Sequence, residues 1–239
     1  WKGRQLLKQY PVQDEEHDVR TKSQVFRFYS PLLFSGGIAV LIIPASNAFM
    51  GFTNHVTLAI ASFTLAMSIQ QLLLSFFMYF HQIVLQFFNR HARKIVKWSA
   101  FLGLIPTILL GLFCFTPIGP WFLSSLMGAN ASLTDATMNV LRVFMLRPIL
   151  FPMIDFCNGL LMLRKQTNVM FLSQAANVSS TVITLAVLVF LVPFMDGMIA
   201  AIAVSVGVLA ELLVVLYFVI KGNMPKRVVN SYRVESVSS

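Results

Sequence analysis

The residues of this chain whose types and spacing could do chemistry are concentrated in residues 141–165, LRVFMLRPILFPMIDFCNGLLMLRK. The stretch is apolar enough for a bilayer, yet it carries Arg142, Arg147 and Asp155, with Pro148 and Pro152 between them. A charge at the bilayer centre costs at least ~2.5–3.5 kcal/mol, so these groups must face protein or water. Each proline removes a backbone donor and leaves a carbonyl that lipid cannot satisfy. Two readings follow. The segment is either a functional element buried inside a bundle or a structural ion pair beside a proline kink.

The elements that must position these groups are membrane helices. Of the 239 residues 57% are hydrophobic and 11% charged, against about 25% charged in a soluble domain. The net charge of +9 does not mark a nucleic-acid binder, because the basic residues recur at intervals between apolar runs rather than in one patch. Six apolar runs, at about 26–50, 57–88, 96–115, 134–163, 168–192 and 197–220, are each long enough for a ~30 Å hydrocarbon core. The connections at 51–56 and 117–133 and the turn around Asp196 contain no Lys or Arg. The opposite connections hold Arg90, Arg93, Lys94 and Lys97, then Arg164 and Lys165, then Lys221, Lys226 and Arg227. The positive-inside rule therefore predicts six spans with both termini cytoplasmic. Residues 1–23 read as a cytoplasmic juxtamembrane linker, 24–222 as a six-helix transmembrane lobe and 223–239 as a cytoplasmic tail. No cleavable signal peptide precedes the first run. The chain opens on Trp1, which reads as a segment of a longer protein or a processed product.

Within the spans, polar residues keep helical spacing. Thr64, Ser68, Gln71, Ser75, Gln82 and Gln86 step by three, four or seven along one long second helix, a face that hydrogen-bonds a neighbouring helix or, in preference, lines a wet cavity. Ser173, Asn177, Ser180 and Thr184 do the same in the fifth span, with Gln174 and Thr181 alongside. In the sixth, Gly197, Ala201 and Ser205 form a small-residue ridge for close packing. Gly36 and Gly37 in the first span read as a close-packing site in preference to a hinge. At ~1.5 Å per residue Glu211 and Arg147 both fall near the midplane, and read as partners, while Asp155 lies about 12 Å nearer the cytoplasm. His81 reads as a packed or hydrogen-bonded residue. Trp121 and Phe122 suit an interfacial or re-entrant turn. Asn130-Ala131-Ser132 is a glycosylation acceptor on the outer side, whereas the triplet at Asn177 lies inside a span and is inert.

The sequence holds no phosphate-binding loop and no nucleophile elbow. Its four His and two Cys have no metal spacing, and Cys114 and Cys157 fall within apolar runs, which argues against a disulfide framework. The chain thus reads as a non-enzyme without cofactor or metal, and without a nucleic-acid partner.

With six spans and this order of motifs, the chain resembles the C-terminal half of a transporter in the multidrug/oligosaccharidyl-lipid/polysaccharide flippase superfamily. The segment from Leu141, with Arg142, Phe144, Pro148, Gly159, Leu161, Met162, Lys165 and Thr167, is most similar to the progressive ankylosis protein family. Pro193, Gly197, Gly207 and Glu211 fit that family's last two helices, and Pro31 and the Gly119-Pro120-Trp121 turn extend the likeness. The resemblance implies an all-α, MATE-like lobe that pairs with a second six-helix lobe around a central cavity. That second lobe would lie upstream in the same chain, in a separate subunit or in a homodimer related by an axis along the membrane normal. It also implies export of phosphate-rich or carboxylate anions by alternating access. The expected substrate-binding residues are Arg142, Arg147, Asp155, Gln71, Ser75, Gln174, Asn177 and Glu211, with the arginines forming a graded path for a small-molecule anion. The alternative is a non-transporting subunit that scaffolds a larger membrane assembly on the same fold.

Overall fold

The computed structural model describes residues 22–75 and 80–222, the side chains of residues 24, 27, 80 and 87–100 excepted. The expected linker, apart from its last two residues, and the expected tail lie outside the described residues. So do the side chains of Arg90, Arg93, Lys94 and Lys97.

Among the described residues the chain is all α-helical, with no strand. The long helices are α1 (Lys22–Val40), α2 (Ile42–Met50), α3 (Val56–Ser75), α4 (Phe80–Phe115), α6 (Ala131–Val143), α7 (Leu146–Leu163), α8 (Thr167–Leu191) and α9 (Gly197–Lys221). A short α5 (Ile118–Trp121) runs into a π-helical turn at Phe122–Leu126. Five stretches are long and apolar enough to cross a membrane: Phe28–Met50, which joins α1 to α2, and α3, α7, α8 and α9. A sixth is reached if Phe101–Phe115 and Ile118–Leu126, bent by 76°, count as one broken span. This is the make-up of a multi-pass membrane protein. It carries many exposed apolar residues, Phe190 and Ile220 among them at more than 80%, as a lipid-facing surface requires.

α9 is the centre of the bundle. It packs along α8 and also meets α7, α6, α3 and α2, while α4 runs against α7 and α1 against α8. Its ridge explains the close approach: Gly197, Ala201 and Ser205 are all buried. A methyl on Gly197 would lie 2.9 Å from the Ala59 carbonyl oxygen of α3. Around this ridge Phe63, Phe144, Leu110, Leu141 and Ile199 are fully enclosed, the Phe63 and Phe144 rings 5.8 Å apart.

Several boundaries differ from the sequence reading. The first span breaks at Leu41, and a methyl on Gly36 or Gly37 would meet no atom within 4 Å, so neither glycine serves a close contact inside this lobe. The expected basic connection between the second and third spans is helical in α4, because residues 80–102 contain neither Gly nor Pro to end a helix. α4 is nonetheless bent. A methyl on Gly159 would lie 2.8 Å from Val84 Cβ, and one on Gly103 would lie 3.0 Å from Pro152 Cβ. A straight helix would hold residues 84 and 103 about 28 Å apart, yet their partners on α7 are only about 10 Å apart.

The expected fourth span divides into α6 and α7 at Phe144 and Met145. Pro148 is the physical cause. Lacking an N–H, it cannot bond the carbonyl four residues back, which is that of Phe144. That carbonyl accepts instead from the Arg147 N–H at 3.0 Å and from the Gln70 side-chain amide, also at 3.0 Å. At its far end α7 closes with the Gln166 N–H on the Leu161 carbonyl at 2.9 Å and the Lys165 N–H on the Met162 carbonyl at 3.0 Å. Lys165 takes φ = 58°, the left-handed residue such a helix ending requires.

Candidate functional site

The side chains brought together by these elements line a cavity of about 460 Å³. Helical spacing accounts for its walls. On α7, Arg147, Phe151, Asp155 and Asn158 step by four, four and three along one face; on α9, Val204, Val208 and Glu211 step by four and three. α8 adds Gln174 and Asn177, α3 adds Met67 and Gln71, and Ala39, Val40, Ile42 and Ile43 close the side formed by α1 and α2.

Arg147 is the cation of the site. Its Nη1 donates to Gln70 Oε1 at 3.0 Å and lies 3.3 Å from Met67 Sδ. Its Nε is buried with no partner among the described residues. Gln70, itself fully buried, uses its amide in both directions, accepting from Arg147 and donating to the carbonyl that Pro148 leaves short of a donor. Glu211 takes a 2.6 Å hydrogen bond from Asn177 Nδ2, and Asn177 Oδ1 in turn accepts from the Thr181 hydroxyl. Asp155 receives the His81 backbone N–H at 2.9 Å and faces the His81 ring Nδ1 at 2.9 Å, which ties α7 to the start of α4. Asn158 Oδ1 is buried without a partner among the described residues.

Six of the eight residues expected to bind substrate therefore line one cavity: Gln71, Arg147, Asp155, Gln174, Asn177 and Glu211. The other two do not. Arg142 ends α6, exposed, with its guanidinium on Asn139 Oδ1 three residues back. The break at Phe144 and Met145 puts it on a different helix from Arg147, so the two arginines form no graded path. Ser75 is exposed and returns its hydroxyl to the Leu72 carbonyl at 2.7 Å. Ser68 likewise bonds its own helix, at the Thr64 carbonyl, which is a common fate of a helical hydroxyl in an apolar setting. The face expected to line a cavity thus contributes Gln71 alone.

The expected ion pair between Arg147 and Glu211 is also not formed. Each group has a neutral amide partner, Gln70 and Asn177, and the two share the cavity without lying within 4.0 Å of each other. The α6–α7 break is the reason, since it draws Gln70 to the Phe144 carbonyl and puts its oxygen beside Arg147. Asn158 was open to detection, because it continues the Arg147–Asp155 face by one helical step. Gln70 was not, because its role rests on a carbonyl seventy-four residues away. Comparison of the chain with protein-family models, with curated proteins and with solved structures gives no match.

Proposed function

We propose that this chain is one lobe of a membrane transporter, moving a small anionic or amphiphilic molecule by alternating access against a second six-helix lobe. The observation that carries the reading is Arg147. A guanidinium whose Nε meets no partner among the described residues lines a cavity of substrate size, among helices otherwise built for lipid. Intramembrane ionisable groups lining a cavity are characteristic of substrate pathways, and ~300–1,000 Å³ is the usual range for small-molecule sites. The MATE-like arrangement of the flippase superfamily rests on the resemblance carried by the segment from Leu141 to Thr167 and by Pro193, Gly197, Gly207 and Glu211. A cytoplasmic location for both termini is supported by the alternation of Lys and Arg along the sequence.

Uptake by the protein reconstituted in proteoliposomes, against a panel of carboxylate and phosphate anions, tests the proposal. Saturable uptake is expected, abolished by Arg147→Gln and strongly reduced by Arg147→Lys, since lysine lacks the planar fork that grips a carboxylate or phosphate. A well-folded protein that moves no probe would favour the scaffold reading.

A further inference from the structure

The charges around the cavity restrict the ligand further than the transport reading does, and the restriction rests on that reading only for the cavity being a binding site. Arg147 provides an anion seat. Its Nη1 is held by Gln70 and Met67, and its Nε is buried without a partner among the described residues. As the guanidinium that lines the cavity, Arg147 can offer a charge-assisted hydrogen bond to a carboxylate or phosphate. The same cavity, however, is lined by two carboxylates, Asp155 and Glu211, against this one guanidinium. A simple anion entering there adds a negative charge to walls that already carry more carboxylate than guanidinium.

The two acids are not equivalent. Asp155 is engaged by His81 through both backbone and ring, and lies about 12 Å along α7 from Arg147. Glu211 accepts a single neutral amide hydrogen, from Asn177, and no cation stands within ion-pair distance of it among the described residues. The lining also includes an apolar set, Ile42, Ile43, Phe151, Val204 and Val208, beside its amide side chains. We infer that the cavity binds a small zwitterion, its carboxylate or phosphate on Arg147, its ammonium group on Glu211, and a short apolar linker against the valines and Phe151.

Equilibrium binding to the purified protein in detergent tests this separately from transport. The probes are 4-aminobutanoate, 6-aminohexanoate and 8-aminooctanoate, with hexanoate and hexylamine as single-charge controls. At least one amino acid of the series is expected to bind about tenfold or more tighter than either control. Glu211→Gln should bring the zwitterion down to the affinity of hexanoate, and Arg147→Gln should bring it down to that of hexylamine. A purely structural role for either residue would not produce opposite charge preferences in the two variants. Hexanoate or hexylamine binding as tightly as every zwitterion would overturn the inference, as would no binding of any probe. Tight hexanoate binding would leave the anion-transport reading standing, and a zwitterion that binds in detergent but is not moved in proteoliposomes would overturn transport alone. If a variant fails to stay monodisperse, the wild-type comparison of zwitterion with controls still decides.

Discussion

Replacing Gln70 by leucine should cost this protein about 3 kcal/mol, because one buried amide serves two polar groups at once. The first is the Phe144 carbonyl, deprived of its helical donor by Pro148 and left with the Arg147 N–H alone once the amide is gone. A neutral hydrogen bond of that kind contributes about 1 kcal/mol. The second is the Arg147 guanidinium, whose remaining described contact would be the weakly accepting Met67 sulfur. A hydrogen bond to a charged group contributes about 1.5–3 kcal/mol. For a chain of this size the sum corresponds to a fall in melting temperature of roughly 6–12 °C. Thermal unfolding in detergent, followed by light scattering or a thiol-reactive dye, measures it. The companion variant Arg147→Met separates the two contributions. In that background Gln70→Leu should cost only the carbonyl bond, about 1 kcal/mol, and the difference is the coupling energy between the two side chains. Gln70→Glu is a further control, since it keeps an acceptor for Arg147 while setting an oxygen against the Phe144 carbonyl. An equal cost in both backgrounds would refute the Arg147–Gln70 contact, and an unchanged melting temperature would refute the account of the α6–α7 break.

Three other outcomes follow from the helix packing, the backbone and the charge pattern. In Gly207→Ala the new methyl would collide with Thr181 Oγ1 and Asn177 Oδ1 and would lie 2.8 Å from the Asn177 backbone oxygen, so α8 and α9 must separate. A loss of about 1–3 kcal/mol is expected, together with the Asn177–Glu211 bond; an undiminished melting temperature would contradict the helix spacing. Lys165→Gly should raise stability by up to about 1 kcal/mol, because glycine adopts the left-handed backbone at φ = 58° without penalty. A lower melting point would mean the lysine side chain contributes more than its backbone costs. Single cysteines placed at the exposed Asn54 and Asn130 should react with impermeant reagent from the side opposite the Lys/Arg-rich connections, and labelling of either from the other side would overturn the predicted topology.

The residue types settled much of this protein without reference to its fold. Long apolar runs with scarce charge require bilayer-spanning helices, because backbone groups in hydrocarbon must bond within their own segment. Glycine, alanine and serine every fourth residue in α9 mark the helix that others can approach most closely, and that helix is the centre of the bundle. The eight-residue spacing of Arg147 and Asp155 and the three-residue spacing of Gln174 and Asn177 are local geometry, so a polar face on α7 and on α8 could be read directly. Partner choice could not. Arg147 and Glu211 have opposite charges and similar depth, but depth says nothing of rotation about the helix axis or of competing amides. Pro148 moved the helix boundary by freeing the Phe144 carbonyl, Gln70 of a distant helix filled the vacancy, and its oxygen then took Arg147. The same break carried Arg142 away from the cavity, and the hydroxyls of Ser68 and Ser75 turned back on their own helix. Helical periodicity is a property of neighbours along the chain and can be counted; a hydrogen-bond partner seventy-four residues away exists only once tertiary packing has brought α3 beside the α6–α7 break.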